Sequence, residues 1–171
     1  PTPLRVLDVG TGSGCIAITL SLDMPNTVES ACDISPEALL IARDNAIRLG
    51  AMVNFQLKDA LQFTATEETF DIIVSNPPYI CDSERTEMMR NVLEYEPLTA
   101  LFVPDDDPLR FYRAIAEYGT TALSHGGELY FEINDRFADE VSAMLNALGY
   151  AGTEVRTDQF GKQRFVKTMR A

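Results

Sequence analysis

Cysteine is scarce in this chain. Cys15, Cys32 and Cys81 are far apart, odd in number and form no CxxC pair. That argues against a disulfide framework and against a zinc site; no metal is expected, and a reducing cytoplasm is the simplest home. Basic residues are also few: 14 Lys and Arg against 26 Asp and Glu leave a net charge of −12. Nucleic-acid binding draws its affinity from Lys and Arg at phosphates, so no direct grip on nucleic acid is expected. No stretch approaches the ~20 apolar residues that span a bilayer, and no basic-then-apolar signal pattern opens the chain. No membrane role is expected. The remaining composition, 46% hydrophobic and 23% charged over 171 residues, is that of one folded domain with a real core. The chain starts at Pro1 rather than Met, with a strand-like run from Leu4, as expected of a domain cut from a longer protein.

Strand and helix signals alternate. An apolar run over 4–9 stops at Gly10-Thr11-Gly12-Ser13-Gly14, and a helical pattern over 15–22 ends at Pro25-Asn26. A second strand over 27–33 closes on Asp33. Ser35-Pro36-Glu37 supplies an N-cap, a first-turn proline and an acid for a helix that Gly50 stops. Strands follow over 53–57 and 70–75, the latter (FDIIVS) apolar enough to be buried on both faces. Residues 76–108 are the least regular and hold five of the nine prolines. A helix over 109–123, a strand over 127–133, a helix over 137–148 and strands over 153–156 and 164–168 complete the chain. The expected fold is α/β, Rossmann-like, with a seven-stranded, mostly parallel sheet and helices on both faces.

The glycine cluster lies between a strand and a helix, the layout of a nucleotide-type ligand site. A tight connection would explain one glycine turn alone. It would not explain acids at three successive strand ends: Asp8 before the loop, Asp33 after the second strand and Asp59 after the third. Asp33 suits a carboxylate that accepts from both ribose hydroxyls, and Asp59 one that meets the exocyclic amine of an adenine. The spacing is G-x-G-x-G, not the dinucleotide G-x-G-x-x-G. It resembles the S-adenosylmethionine (SAM) loop of Rossmann-like methyltransferases. That ligand has no pyrophosphate, and the loop carries no Lys or Arg.

After the fourth strand comes Ser75-Asn76-Pro77-Pro78-Tyr79. A proline turn would end a strand without any function. It would not call for an amide before the prolines and an aromatic after them. An NH2 group conjugated to a carbonyl or ring is a poor nucleophile, because its lone pair is delocalised. The Asn76 side-chain oxygen and the Pro77 carbonyl can accept its two hydrogens and aim the nitrogen at a sulfonium methyl. Tyr79 can stack on the planar group. Such catalysis is mostly positioning.

DVGTGSGCIAI, the strand end at Asp33, VSNPPYI and EYEPLTAL together resemble the protein-(glutamine-N5) methyltransferases of the PrmC/HemK type. The resemblance runs from about Leu4 to Arg170. It implies methyl transfer from SAM to the glutamine of the GGQ loop in peptide chain release factors, with S-adenosylhomocysteine as product. It also implies that Gly10, Thr11, Gly12, Ser13 and Gly14 line the methionine part of the cofactor. Asp33 would hold the ribose, Asp59 and Ala60 border the adenine, and Asn76, Pro77, Pro78 and Tyr79 bind the glutamine amide. Family members can carry an aromatic residue where Ala60 stands, so the resemblance implies that adenine stacking is weaker here or comes from a neighbour such as Ile34. The family also has a small N-terminal helical domain, which is not expected within these 171 residues. NPPY alone also fits methyltransferases acting on exocyclic amines of DNA or rRNA; the charge and the EPLTAL stretch oppose that alternative. A SAM-binding module without catalysis is a third reading, opposed by the intact NPPY.

Other residues draw the eye. His125, the only histidine, is expected in a surface loop, and Asp105-Asp106-Asp107 in a solvated, cap-rich turn. Glu132 ends the fifth strand on the same sheet edge as the site, with no role that the sequence defines. Met88 and Met89 fit either a lid or the core.

Overall fold

A computed structural model describes residues 2–65, 68–87 and 102–171 of the chain. Strand β1 (Leu4–Val9) leads through the glycine loop into α1 (Cys15–Asp23), and β2 (Thr27–Asp33) into α2 (Pro36–Leu49). Ser35 Oγ accepts from the Ala38 amide at 3.1 Å and Gly50 caps the far end, as the start and stop signals require. Next come β3 (Val53–Leu57), a 3-10 turn (Ala60–Gln62) and β4 (Phe70–Ser75). Beyond β4 lie a short parallel pair, β5 (Ile80–Cys81) with β6 (Phe102–Val103), and a 3-10 stretch over Asp82–Glu87. Then follow α3 (Arg110–Ala122), β7 (Leu123–Glu132), α4 (Ala138–Ala147), β8 (Tyr150–Thr157) and β9 (Gln163–Arg170).

The main sheet has seven strands in the order β3-β2-β1-β4-β7-β9-β8. The pairs from β3 to β7 are parallel, and β9 runs antiparallel to both its neighbours. The expected α/β sheet is thus present. The order reverses between β1 and β4, so the chain ends emerging there open a crevice at their carboxyl ends.

One face of the sheet carries most of the core. Leu7, Val9, Ile73, Leu129, Phe131 and Val166 alternate inward and meet Tyr112, Ile115 and Ala116 of α3 and Val141 and Leu145 of α4. Tyr112 and Phe131 meet edge to face with ring centroids 5.2 Å apart. The other face is covered by α1 and α2 over β1, β2 and β3. Beside α1, a groove of about 560 Å³ runs between Ile16, Leu20 and Met24 and the residues Ile72, Val74, Tyr130 and Phe165 of the sheet. Its carboxyl end is lined by Ser75, Asn76 and Glu132. Among the described residues no helix is long and apolar enough to cross a membrane.

Three expectations change. β7 begins at Leu123 rather than Gly127, so exposed His125 lies within a strand and not in a loop. The reason is a register shift against β4 between Phe70 and Ile72, which lets Leu123 pair with Phe70 before the regular ladder starts at Glu128. The acids before α3 do not cap it. Leu109 stands at the N-cap without a side-chain bond, while Asp107 takes Arg113 at 3.1 Å and Asp105 accepts from the Ser83 amide and hydroxyl. Part of the irregular region is ordered into β5, β6 and the 3-10 stretch. Met88, Met89 and the stretch from Glu94 to Leu101 lie outside the described residues.

Candidate active site

The glycine loop is pinned from below by β2. The Gly10 and Thr11 amides both donate to the Cys32 carbonyl, at 2.9 and 3.0 Å. The Gly12 amide donates to Asp33 Oδ2 at 2.8 Å, and the Ser35 amide to Asp33 Oδ1 at 2.9 Å. One carboxylate at the end of β2 therefore holds both the loop and the next helix start. A carboxylate offers about four acceptor sites, so Asp33 keeps capacity for further donors. Asn45 of α2 donates to the Ser13 carbonyl at 3.0 Å and closes the loop's far side.

Gly10, Gly12 and Gly14 all adopt positive φ, at 73°, 56° and 85°. They serve different ends. A Cβ built on Gly10 or Gly12 would meet nothing within 4 Å, which leaves an open cradle above the loop. A Cβ on Gly14 would lie 2.9 Å from Ile18 Cδ1 and 3.1 Å from Ala42 Cβ. Gly14 lets α1 approach α2.

Asp8 lies beneath this loop, 1% exposed. Thr11 Oγ1 donates to its Oδ2 at 2.6 Å, while Oδ1 has no hydrogen-bond partner among the described residues. Burial pushes the Asp8 carboxyl up to about 6, against the opposing pull of the Thr11 hydroxyl and the Ala17 amide. A buried carboxylate oxygen without a partner is suited to a ligand donor arriving through the cradle.

The third acid is used locally. Asp59 caps the 3-10 turn, its Oδ1 accepting from the Leu61 amide at 2.9 Å and its Oδ2 from Gln62 Nε2 at 2.7 Å. Ala60 packs against the main core, and Ile34, next to Asp33, is 61% exposed.

Across the switch point, β4 delivers Asn76. Buried Ser75 donates from Oγ to the Val9 carbonyl at 2.6 Å and ties the end of β4 to the end of β1. Asn76 follows, exposed, beside the glycine loop that Val9 enters; Pro77 is buried and Pro78 half-buried. Tyr79 is held twice. Its phenol donates to Glu132 Oε1 at 2.9 Å, and its carbonyl accepts from Asn134 Nδ2 at 3.1 Å. Burial and the Glu132 carboxylate push the Tyr79 phenol up to about 12, so it remains a donor at neutral pH.

Sequence reasoning missed Asn134, which is 5% exposed and also donates to Glu84 Oε2 at 3.0 Å. The signal was a polar residue just past the end of a strand that already ends on Glu132 at the same sheet edge.

A parallel sheet reversing at β1 and β4, an open glycine cradle there and an acid at the end of β2 define a class I SAM-dependent methyltransferase fold. A methyltransferase from Pyrococcus furiosus superposes with a TM-score of 0.72 at 18% identity, over 99% of this chain and 76% of that one, a likeness of fold. The chain belongs to the methyltransferase small domain family, whose model matches residues 2–96. It is 50% identical over 171 residues to the release factor glutamine methyltransferase of Bacteroides thetaiotaomicron, covering 99% of this chain and 62% of that protein. To the protein of the same description from Flavobacterium psychrophilum it is 46% identical over 164 residues, 96% of this chain and 58% of that protein. The chain thus spans about three-fifths of the length of these curated relatives.

Proposed function

We propose that the protein transfers a methyl group from SAM to the N5 amide nitrogen of the glutamine in the GGQ motif of peptide chain release factors. The observation that carries this reading is the exposed Asn76, fixed beside the open glycine cradle by the Ser75–Val9 bond. The relatives described as release factor glutamine methyltransferases support it.

The residues fit the cofactor. Gly10 and Gly12 leave room for a ligand against the backbone, and the free Oδ1 of Asp8 lies beneath. Asp33, already rigid, accepts from ribose hydroxyls; Ile34 offers an apolar surface to the adenine, with Asp59 and Ala60 at its border. SAM supplies the electrophilic methyl group when bound. Asn76 Oδ1 and the Pro77 carbonyl accept the two N–H hydrogens of the glutamine amide and hold its nitrogen toward the cradle. Tyr79 stacks on the amide plane. No strong base is required, because the nitrogen becomes acidic only after it bonds carbon. In this reading residues 1–171 are the catalytic domain, a helical N-terminal domain adds grip on the release factor, and the reaction takes place in the cytoplasm.

The test is incubation of the full-length protein with labelled SAM and either release factor, release factor lacking the GGQ glutamine, or nucleic acid. Label in the first alone supports the proposal; label in DNA or rRNA replaces it with exocyclic-amine methylation. Asn76→Ala is expected to lower kcat and kcat/KM together by at least about a hundredfold while SAM affinity stays near wild type. Wild-type turnover in that variant would reduce NPPY to a proline turn.

A further inference from the structure

Glu132 and Asn134 take no part in the steps above, yet both reach the NPPY loop from the end of β7. The Glu132 carboxylate accepts from the Tyr79 phenol, and the Glu132 carbonyl accepts from the Tyr112 hydroxyl at 3.3 Å, which anchors that strand end to α3. Asn134 Nδ2 bridges the Tyr79 carbonyl and Glu84 Oε2, and its Oδ1 accepts from the Arg136 amide at 3.1 Å. Glu84 in turn accepts from the Cys81 amide at 2.9 Å and pairs with Arg136 at 3.3 Å. Tyr79 is therefore fixed at its ring tip and at its backbone by one strand end.

A stacking ring has two soft torsions, and a half-buried phenol without an acceptor would swing toward water. One acceptor at 2.9 Å selects a single ring orientation. We propose that Glu132 is a positioning residue: it accepts the Tyr79 phenol hydrogen and sets the plane on which the substrate amide stacks, with Asn134 fixing the peptide below. This rests on the reading of NPPY as the amide-binding loop. What Glu132 supplies is an acceptor rather than a charge, and it acts only through Tyr79.

The experiment uses the full-length protein with Glu132→Ala, Glu132→Gln, Tyr79→Phe and the Tyr79→Phe/Glu132→Ala pair. Each is first checked for an unchanged melting transition. The Ala variant is expected to lose about tenfold in kcat, with affinity for S-adenosylhomocysteine within about twofold of wild type. The Gln variant keeps an acceptor and should recover most of that loss. In the Phe background the Ala substitution should add less than about a twofold effect, since the partner is already gone. A second readout needs no turnover. With ring-labelled tyrosine, the Tyr79 resonance (identified by its absence in Tyr79→Phe) should hold its position in the Gln variant and move toward the solvent-exposed value in the Ala variant. Equal damage from Gln and Ala would overturn the proposal in favour of a carboxylate contact with substrate, as would an undiminished Glu132 effect in the Phe background. A wild-type protein that fails to methylate release factor would sink the functional reading alone, because the ring signal still reports the Glu132–Tyr79 pairing.

Discussion

The two loops that meet at the switch point are held by opposite means. The glycine loop is fixed by backbone amides and glycine conformations, with partners on the adjacent strand: Gly10 and Thr11 on Cys32, and Gly12 on Asp33. The NPPY loop is fixed by side chains that reach across 53 and 55 residues, Glu132 and Asn134 on Tyr79. The first loop is complete once β1, β2 and α2 are in place. The second waits for β7. A cradle made of backbone tolerates changes in nearby side chains but few in its glycines, whereas a loop stitched by side chains is sensitive at single distant positions.

Substitutions break this contrast at graded strengths. Gly14→Ala should be the most damaging: it combines a left-handed conformation costing ~1–2 kcal/mol with a 2.9 Å clash against Ile18 and a 3.1 Å approach to Ala42. Denaturant unfolding should show a loss of about 2–4 kcal/mol. A loss below about 1 kcal/mol would mean that α1 and α2 can move apart freely.

Asp8→Asn comes next, and its effect depends on pH. The folded carboxyl titrates at about 6 against an ordinary 3.8, so between those values the native state binds more protons than the unfolded chain. Stability from this group therefore falls as pH rises through that window, by at most about 3 kcal/mol. The Asn variant should show a flatter unfolding free energy between pH 4 and 6. Parallel curves for the two proteins would show that Asp8 is not the titrating group.

Asn134→Ala leaves the Tyr79 carbonyl and Glu84 short of a donor and should cost about 1–3 kcal/mol. Hydrogen exchange sharpens the comparison. Amides of residues 79–81 should lose protection while those of residues 10–14 keep theirs, and equal loss in both loops would erase the distinction. Ser75→Ala should be mildest, about 1 kcal/mol, because it removes one neutral hydrogen bond to Val9. Cofactor affinity should stay unchanged; a marked fall would show that the two loops are not held independently.

The same contrast explains what could be read in advance. Strands β1 to β4 and helices α1 and α2 carry local signals (the glycine cluster, Ser35-Pro36, Gly50) and lie where the sequence places them. Asp33 is found at the lip of the loop, because a strand end and a glycine turn are both local features. The holding of Tyr79 is not local. Nothing near residue 79 announces Asn134, and the antiparallel insertion of β9 depends on pairing partners that periodicity does not name. Asp59 shows a third case, in which an acid read for its ligand chemistry also serves as the cap of a 3-10 turn.

The position of β9 bears on the order in which the molecule assembles. It follows β8 in sequence but lies between β8 and β7, where Val166 and Thr168 are almost fully buried. Among the described residues β8 has no sheet partner other than β9, so it cannot enter the sheet when it is made, although its Tyr150 can already reach the Ala116 carbonyl of α3. As the chain is synthesised, β1 to β7 can pair in turn, while β7 keeps an open edge and β8 stays unpaired. Pulse-labelled refolding should find the β8 amides protected no earlier than those of β9. Until residues 163–170 are free to insert, the nascent domain exposes the edge of β7, the strand whose end holds Tyr79, and the sheet is complete only when the last strand arrives.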